Sequence, residues 1–121
     1  MDRRQPHLKL KAQIYHGDEI ALGPGKVDLL EAVARAGSIS GAGREMGLSY
    51  RRAWLLVDTM NRCFAQPLIE TAHGGAKGGG ARVTEAGEAV LRHYRAMQAA
   101  IEAAAATEAE TLIKALAPAS Q

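Results

Sequence analysis

Ser49, Tyr50, Arg51 and Arg52 follow one another in "SISGAGREMGLSYRRAW", directly after a Gly-Leu break. All four side chains can donate hydrogen bonds, and two carry permanent positive charge. The planar fork of arginine donates two parallel hydrogen bonds, a shape that matches a phosphate or the O6 and N7 edge of guanine. A helix starting at Tyr50 would add the partial positive charge of its own N-terminus. A second set lies in "GGAKGGGAR", residues 74–82. There Lys77 and Arg82 supply charge, while glycines such as Gly78 and Gly79 let the backbone come close to a phosphate. Gly78 follows Lys77 where a P-loop needs Ser or Thr, and the G-x-x-x-x-G-K spacing is absent, so the loop does not read as a nucleotide cradle.

The segments around these residues read as short, well-punctuated elements. "LKLKAQIY" alternates Leu8, Leu10, Ala12 and Ile14 with other residues, the period of a half-buried strand. "HGD" offers a turn, and "EIAL" is a second strand or the approach to a helix. A helix is expected from Pro24, since proline suits a first helical turn, to Ala36, with Gly37 as its stop. Val27, Leu30, Val33 and Ala34 form its apolar face. Ser38 or Ser40 caps a second helix ending near Met46 and Gly47, and Ser49 caps a third from Tyr50 to about Phe64. Ala53, Val57, Met60 and Phe64 stripe the third helix, with Trp54 beside them reading first as packing between helices and second as stacking on a base, and Pro67 prevents its continuation. "PLIET" and "ARV" are strands around the glycine loop. Thr84 caps a long helix with Glu85 and Glu88 in its first turn, where acidic charge suits the dipole. Val90, Tyr94, Met97, Ile101 and Ala105 form its stripe, and its alanine-rich second half has high helix propensity.

The fold class expected is therefore mostly α with a small β component: a winged helix-turn-helix with a long C-terminal dimerisation helix. Residues 1–83 would be the DNA-binding unit with its N-terminal strands, 84–117 the dimerisation helix, and 118–121 a disordered tail. From Glu85 to Leu116 the helix would reach roughly 48 Å at 1.5 Å per residue, more than so small a core covers, so a second subunit is the economical cover.

Bulk properties narrow the function classes. At 121 residues with 47% hydrophobic content the chain forms one domain with a core of small aliphatics. The single cysteine, Cys63, excludes an internal disulfide framework and suits a reducing, cytoplasmic setting; it reads as a small buried hydrophobe. No apolar run spans a membrane and no signal peptide opens the chain. Net charge is only +2, but residues 49–82 carry a net +3 between mildly acidic flanks, which fits an electrostatic footprint for phosphate. The four histidines are scattered, and neither a catalytic triad nor a carboxylate pair stands out. The chain reads as a non-enzyme without cofactor or metal.

In a winged helix-turn-helix the second helix of the pair enters the major groove, and its first turn meets base edges. Ser49, Tyr50, Arg51 and Arg52 occupy that turn, and Lys77, Gly78, Gly79 and Arg82 belong to the wing, on a backbone or a minor groove. The stretch from Ser38 to Leu91 also resembles the DNA-binding half of ModE-type molybdate-responsive transcription regulators. "GSIS", "GLSYRRAW", "MN", "GGAKGGGA" and "TEAGE" carry the resemblance, over roughly Leu8 to Tyr94. "VTEAGE" before a long helix is similar, more loosely, to the LysR-type winged helix. The resemblance implies a dimer held by the N-terminal strands and the long helix, with one recognition helix per half-site. Full-length ModE proteins continue into oxyanion-binding β-barrel modules, whereas this sequence stops at Gln121, so molybdate sensing is not carried over. It is either a piece of something longer or a natural one-domain regulator, and the ragged "PASQ" end favours the second.

The expected function is sequence-specific binding of double-stranded DNA by a homodimeric, cytoplasmic transcription regulator. Its rival is a dimeric winged-helix protein-interaction module with little DNA affinity. A regulator sensing an oxyanion such as molybdate at the dimer interface is a third reading, with no residues in the chain to assign to it.

Overall fold

The computed structural model describes residues 5–72 and 80–118. Its elements run β1 (Ile14–His16), β2 (Glu19–Leu22), α1 (Pro24–Ala36), α2 (Ile39–Met46), α3 (Tyr50–Cys63), β3 (Ile69–Thr71), β4 (Ala81–Val83) and α4 (Glu85–Lys114). The two strand pairs are separate antiparallel hairpins, β1 with β2 and β3 with β4. Three helices, then a hairpin, then a long helix is the order read from the sequence.

Local chemistry sets the helix limits. Pro24 opens α1, and Gly37, at φ 73°, closes it by donating its N–H to the Val33 carbonyl. Ser38, rather than Ser40, caps α2 by accepting from the Gly41 amide. Gly47 at φ 70° ends α2 in the left-handed conformation that glycine adopts without strain, and two residues later Ser49 caps α3. This tight turn brings α2 onto α3 through small residues: a Cβ placed on Gly43 would lie 3.2 Å from the Ala53 Cβ.

The core is centred on α1. Val27, Leu29, Leu30, Ala32 and Val33 are all buried, because α1 is covered by α2, α3 and α4 and not on one face alone. Two sequence expectations are corrected here: Ala34 is exposed, and Leu29 and Ala32 are buried although they lie off the expected stripe. The first strand is also shorter than its alternation suggested. β1 holds only Ile14–His16; Leu8 to Gln13 run irregularly, with Leu8 exposed, because β2 provides just four residues to pair with. That segment is nevertheless tied down, since the Tyr94 hydroxyl donates to the Ala12 carbonyl at 2.8 Å.

α4 belongs to the core for its first turns only. Thr84 accepts from the Gly87 amide and donates to the Pro67 carbonyl, Tyr94 is buried, and Arg95 reaches Asp28 and Glu31 of α1. The Arg95 guanidinium holds the Glu31 carboxyl below the usual carboxylate range. Beyond Met97 most side chains are exposed, Ile101 and Leu112 among them. A wholly apolar groove of about 320 Å³ runs beside the helix between Ile14, Leu22, Phe64, Val90 and Met97. No helix among the described residues is long and apolar enough to cross a membrane.

Candidate nucleic-acid interface

The buried stripe of α3, Ala53, Val57 and Met60, fixes how the helix presents its other faces. At 100° per residue, Arg51 and Leu55 fall opposite that stripe, Tyr50 and Trp54 fall on the flank toward the β3–β4 hairpin, and Arg52 falls on the flank toward α1. Contacts agree with this geometry. On the hairpin flank Tyr50 and Trp54 meet edge to face at 6.1 Å and line a groove of about 290 Å³. Ser38 and Ser40 at the start of α2, with Thr71 and Ala81, the last strand pair before the hairpin's connecting residues, line its other side. On the α1 flank, desolvation and then the neighbouring Arg52 charge hold the Lys26 ammonium below its usual value.

Ser49 is taken up as the α3 cap, accepting from the Arg52 amide at 3.0 Å, while Tyr50, Arg51 and Arg52 are exposed. Trp54 is only partly covered: it is 38% exposed on the wall of a groove that Ser38, Ile39 and Ser40 also line.

Ion pairing separates the basic residues of this region into two groups. Arg62 bonds Asp58 one turn away and Glu19 of β2, and Arg82 bonds Glu70 directly across the hairpin at 2.6 Å. Arg51, Arg52 and Lys26 enter no ion pair among the described residues. The net positive charge of residues 49–82 is therefore concentrated, among the described residues, in the first turn of α3. Arg82 lies in the middle pair of the hairpin, opposite Glu70, with that carboxylate already on it. Lys77, Gly78 and Gly79 lie outside the described residues.

Cys63 is half-buried and donates to the Glu19 carboxylate at 3.3 Å. Desolvation and that carboxylate push its thiol up from the ordinary cysteine value.

One positioning residue was missed at the sequence level. Asn61 accepts from the Leu68 and Ile69 amides and donates to the Ile69 carbonyl, all within 3.2 Å. It thereby locks the hairpin to α3 and sets the angle between the two. The available signal was an amide side chain beside the buried Val57–Met60 stripe, just ahead of Pro67. Replacing Asn61 with Ala leaves three half-buried backbone groups short of a partner. We expect a loss of about 2 kcal/mol in a urea unfolding curve, and a midpoint equal to that of the unsubstituted protein would show that water replaces the amide.

Residues 25–88, from the first turn of α1 into the first turn of α4, match the bacterial regulatory helix-turn-helix protein model of the lysR family. The molybdenum-pterin-binding protein MopA of Rhodobacter capsulatus is 51% identical over 80 residues, 66% of this chain and 30% of MopA. The DNA-binding transcriptional dual regulator ModE of Escherichia coli K12 is 38% identical over 71 residues, 59% of this chain and 27% of ModE. The chain thus spans under a third of the length of these relatives. ArgP from Mycobacterium tuberculosis has a similar fold, with a TM-score of 0.50 at 22% identity, covering 72% of this chain and 30% of that one. The two capped helices, the three-residue turn between them and the hairpin beyond are the parts this family model spans, and the chain belongs to the lysR family of bacterial regulatory helix-turn-helix proteins.

Proposed function

We propose that the chain is the sequence-specific DNA-binding part of a homodimeric transcription regulator, acting in the cytoplasm. α3 enters the major groove, with Arg51, Arg52 and Tyr50 at base edges or phosphates and Ser49 toward the backbone. The segment with Lys77, Gly78 and Gly79 lies along the backbone or an adjacent minor groove, with Arg82 at its root. In this division residues 1–83 contact DNA and 84–117 join two copies. The names of the relatives, a DNA-binding dual regulator among them, support the class of activity.

The observation that carries the reading is the distribution of arginines. Arg62 and Arg82 are ion-paired within the chain, while Arg51 and Arg52 at the exposed helix start are not. Dimerisation rests on the apolar groove beside α4 and on the exposed Ile101 and Leu112 farther along it. A two-fold dimer calls for a pseudo-palindromic site with half-sites about 34 Å apart, or a multiple of that. An oxyanion effector has no residues assigned to it, and titrations with and without molybdate test it: a change in affinity would reveal a site in the chain.

Lys77→Ala separates wing from helix. As a phosphate contact Lys77 gives affinity without sequence preference, so its loss is expected to weaken every duplex alike and lower the salt slope by about 1. A changed order of preference among duplexes would remove Lys77 from the backbone. A chain that binds no duplex, with no salt dependence, would turn the reading toward a protein-interaction module.

A further inference from the structure

Arginines account for charge and guanine edges, yet the face of α3 that leaves the core also carries exposed apolar bulk. Tyr50 is 63% exposed, Trp54 38% and Leu55 47%, all within two turns of one helix. None is needed to close the core, whose α3 contribution comes from Ala53, Val57 and Met60. Large apolar side chains held in water on an otherwise polar helix are a cost unless a partner covers them. In the major groove the apolar feature that differs between base pairs is the C5-methyl of thymine.

We infer that Tyr50 and Trp54 read thymine methyl groups, making 5-methylpyrimidine positions within each half-site a determinant of specificity alongside the arginines. The inference rests on the proposed DNA-binding function and names what that same site selects. The two rings stand one helical turn apart, edge to face, on the wall of the groove between α3 and the Thr71–Ala81 strand pair. Their exposure leaves ring surface to pack on a methyl group and shed its water. Ser38, Ser40 and Thr71 across the groove suit the phosphate side of the same nucleotides. Leu55, farther out beside Arg51, extends the apolar strip toward the neighbouring base pair.

The test uses duplexes selected by the protein itself from a random-sequence pool. Each thymine of an enriched duplex is replaced in turn by deoxyuridine, which deletes the methyl and keeps every hydrogen-bonding group. Affinity is read by fluorescence anisotropy. At one or two positions per half-site the loss is expected to be about three- to fivefold, the worth of one buried methyl. With Trp54→Ala or Tyr50→Ser those positions become insensitive to the replacement, which separates a methyl contact from a change in duplex stiffness. Tyr50→Ser keeps this arm decisive where Trp54→Ala folds poorly, because Tyr50 lies outside the core. An enriched duplex that tolerates deoxyuridine everywhere overturns the inference and leaves the DNA-binding reading standing. So does a methyl effect unchanged in both variants. A pool that yields no enriched sequence overturns both.

Discussion

Arg51→Ala is expected to weaken binding to a preferred duplex by about 1–3 kcal/mol, roughly 5- to 150-fold, with the melting temperature unchanged. Arg51 lies opposite the buried stripe of α3 and bonds no carboxylate among the described residues, so its removal takes nothing from the fold. The discriminating quantity is the pattern across duplexes. Loss confined to one base-pair position places the guanidinium on a guanine edge, while equal loss on every duplex places it on phosphate. Arg52→Ala is expected to weaken binding similarly without lowering stability, because Arg52 faces the like charge of Lys26. Arg62→Ala is the internal control. Its guanidinium is held by Asp58 and Glu19, so DNA affinity should hardly change while stability falls slightly. An Arg62 effect on DNA as large as that of Arg51 would contradict the sorting of arginines on which the proposed interface stands.

Gly87→Ala should be the most damaging single-methyl change. Ordinarily alanine stabilises a helix interior relative to glycine by up to about 1 kcal/mol. Here the added Cβ would press on the Leu68 carbonyl oxygen and fall within 2.6 Å of the Val83 Cγ1. The first of these is backbone and cannot swing aside as the end of a flexible side chain would. The same carbonyl accepts the Thr84 amide, and Thr84 caps α4 through the Gly87 amide, so the methyl also strains the junction that seats the long helix on the hairpin. Overpacking of this kind costs about 3 kcal/mol, outweighing the helix-propensity gain. A melting temperature lower by roughly 10 °C is the expected reading. Unchanged stability would mean that α4 can lift from β3 and β4 freely, and that the close approach at Gly87 is not a fixed part of the fold.

These predictions draw unequally on sequence and structure. The helix limits were legible because Ser38, Ser49 and Thr84 are capping residues and Gly37 and Gly47 are stops, chemistry that acts over three or four residues. The alternation of Leu8, Leu10 and Ala12 misled, because a strand needs a partner as well as a period, and β2 provides only four residues. Burial of Leu29 and Ala32 was not visible because one apolar stripe describes a helix on a surface, whereas α1 sits between several elements. In the interface, "SYRR" identified the first turn of α3, but nothing local could say that Arg62 is held by Glu19, 43 residues away. Arg82 is paired across a hairpin whose register emerges only when both strands are placed. Asn61 and the partial exposure of Trp54 likewise depend on how α3 meets β3.

The claim on which the account turns is that the free arginines at the start of α3 meet DNA in a sequence-dependent way. A fluorescence-anisotropy titration tests it most directly, comparing a duplex from upstream of the chain's own gene with a shuffled duplex of equal composition at two salt concentrations. Tighter binding to the native duplex is expected, with a steep loss of affinity with salt and both effects reduced in Arg51→Ala. Equal affinity for the two duplexes with no salt dependence would contradict it, and would return Arg51 and Arg52 to the status of surface charge.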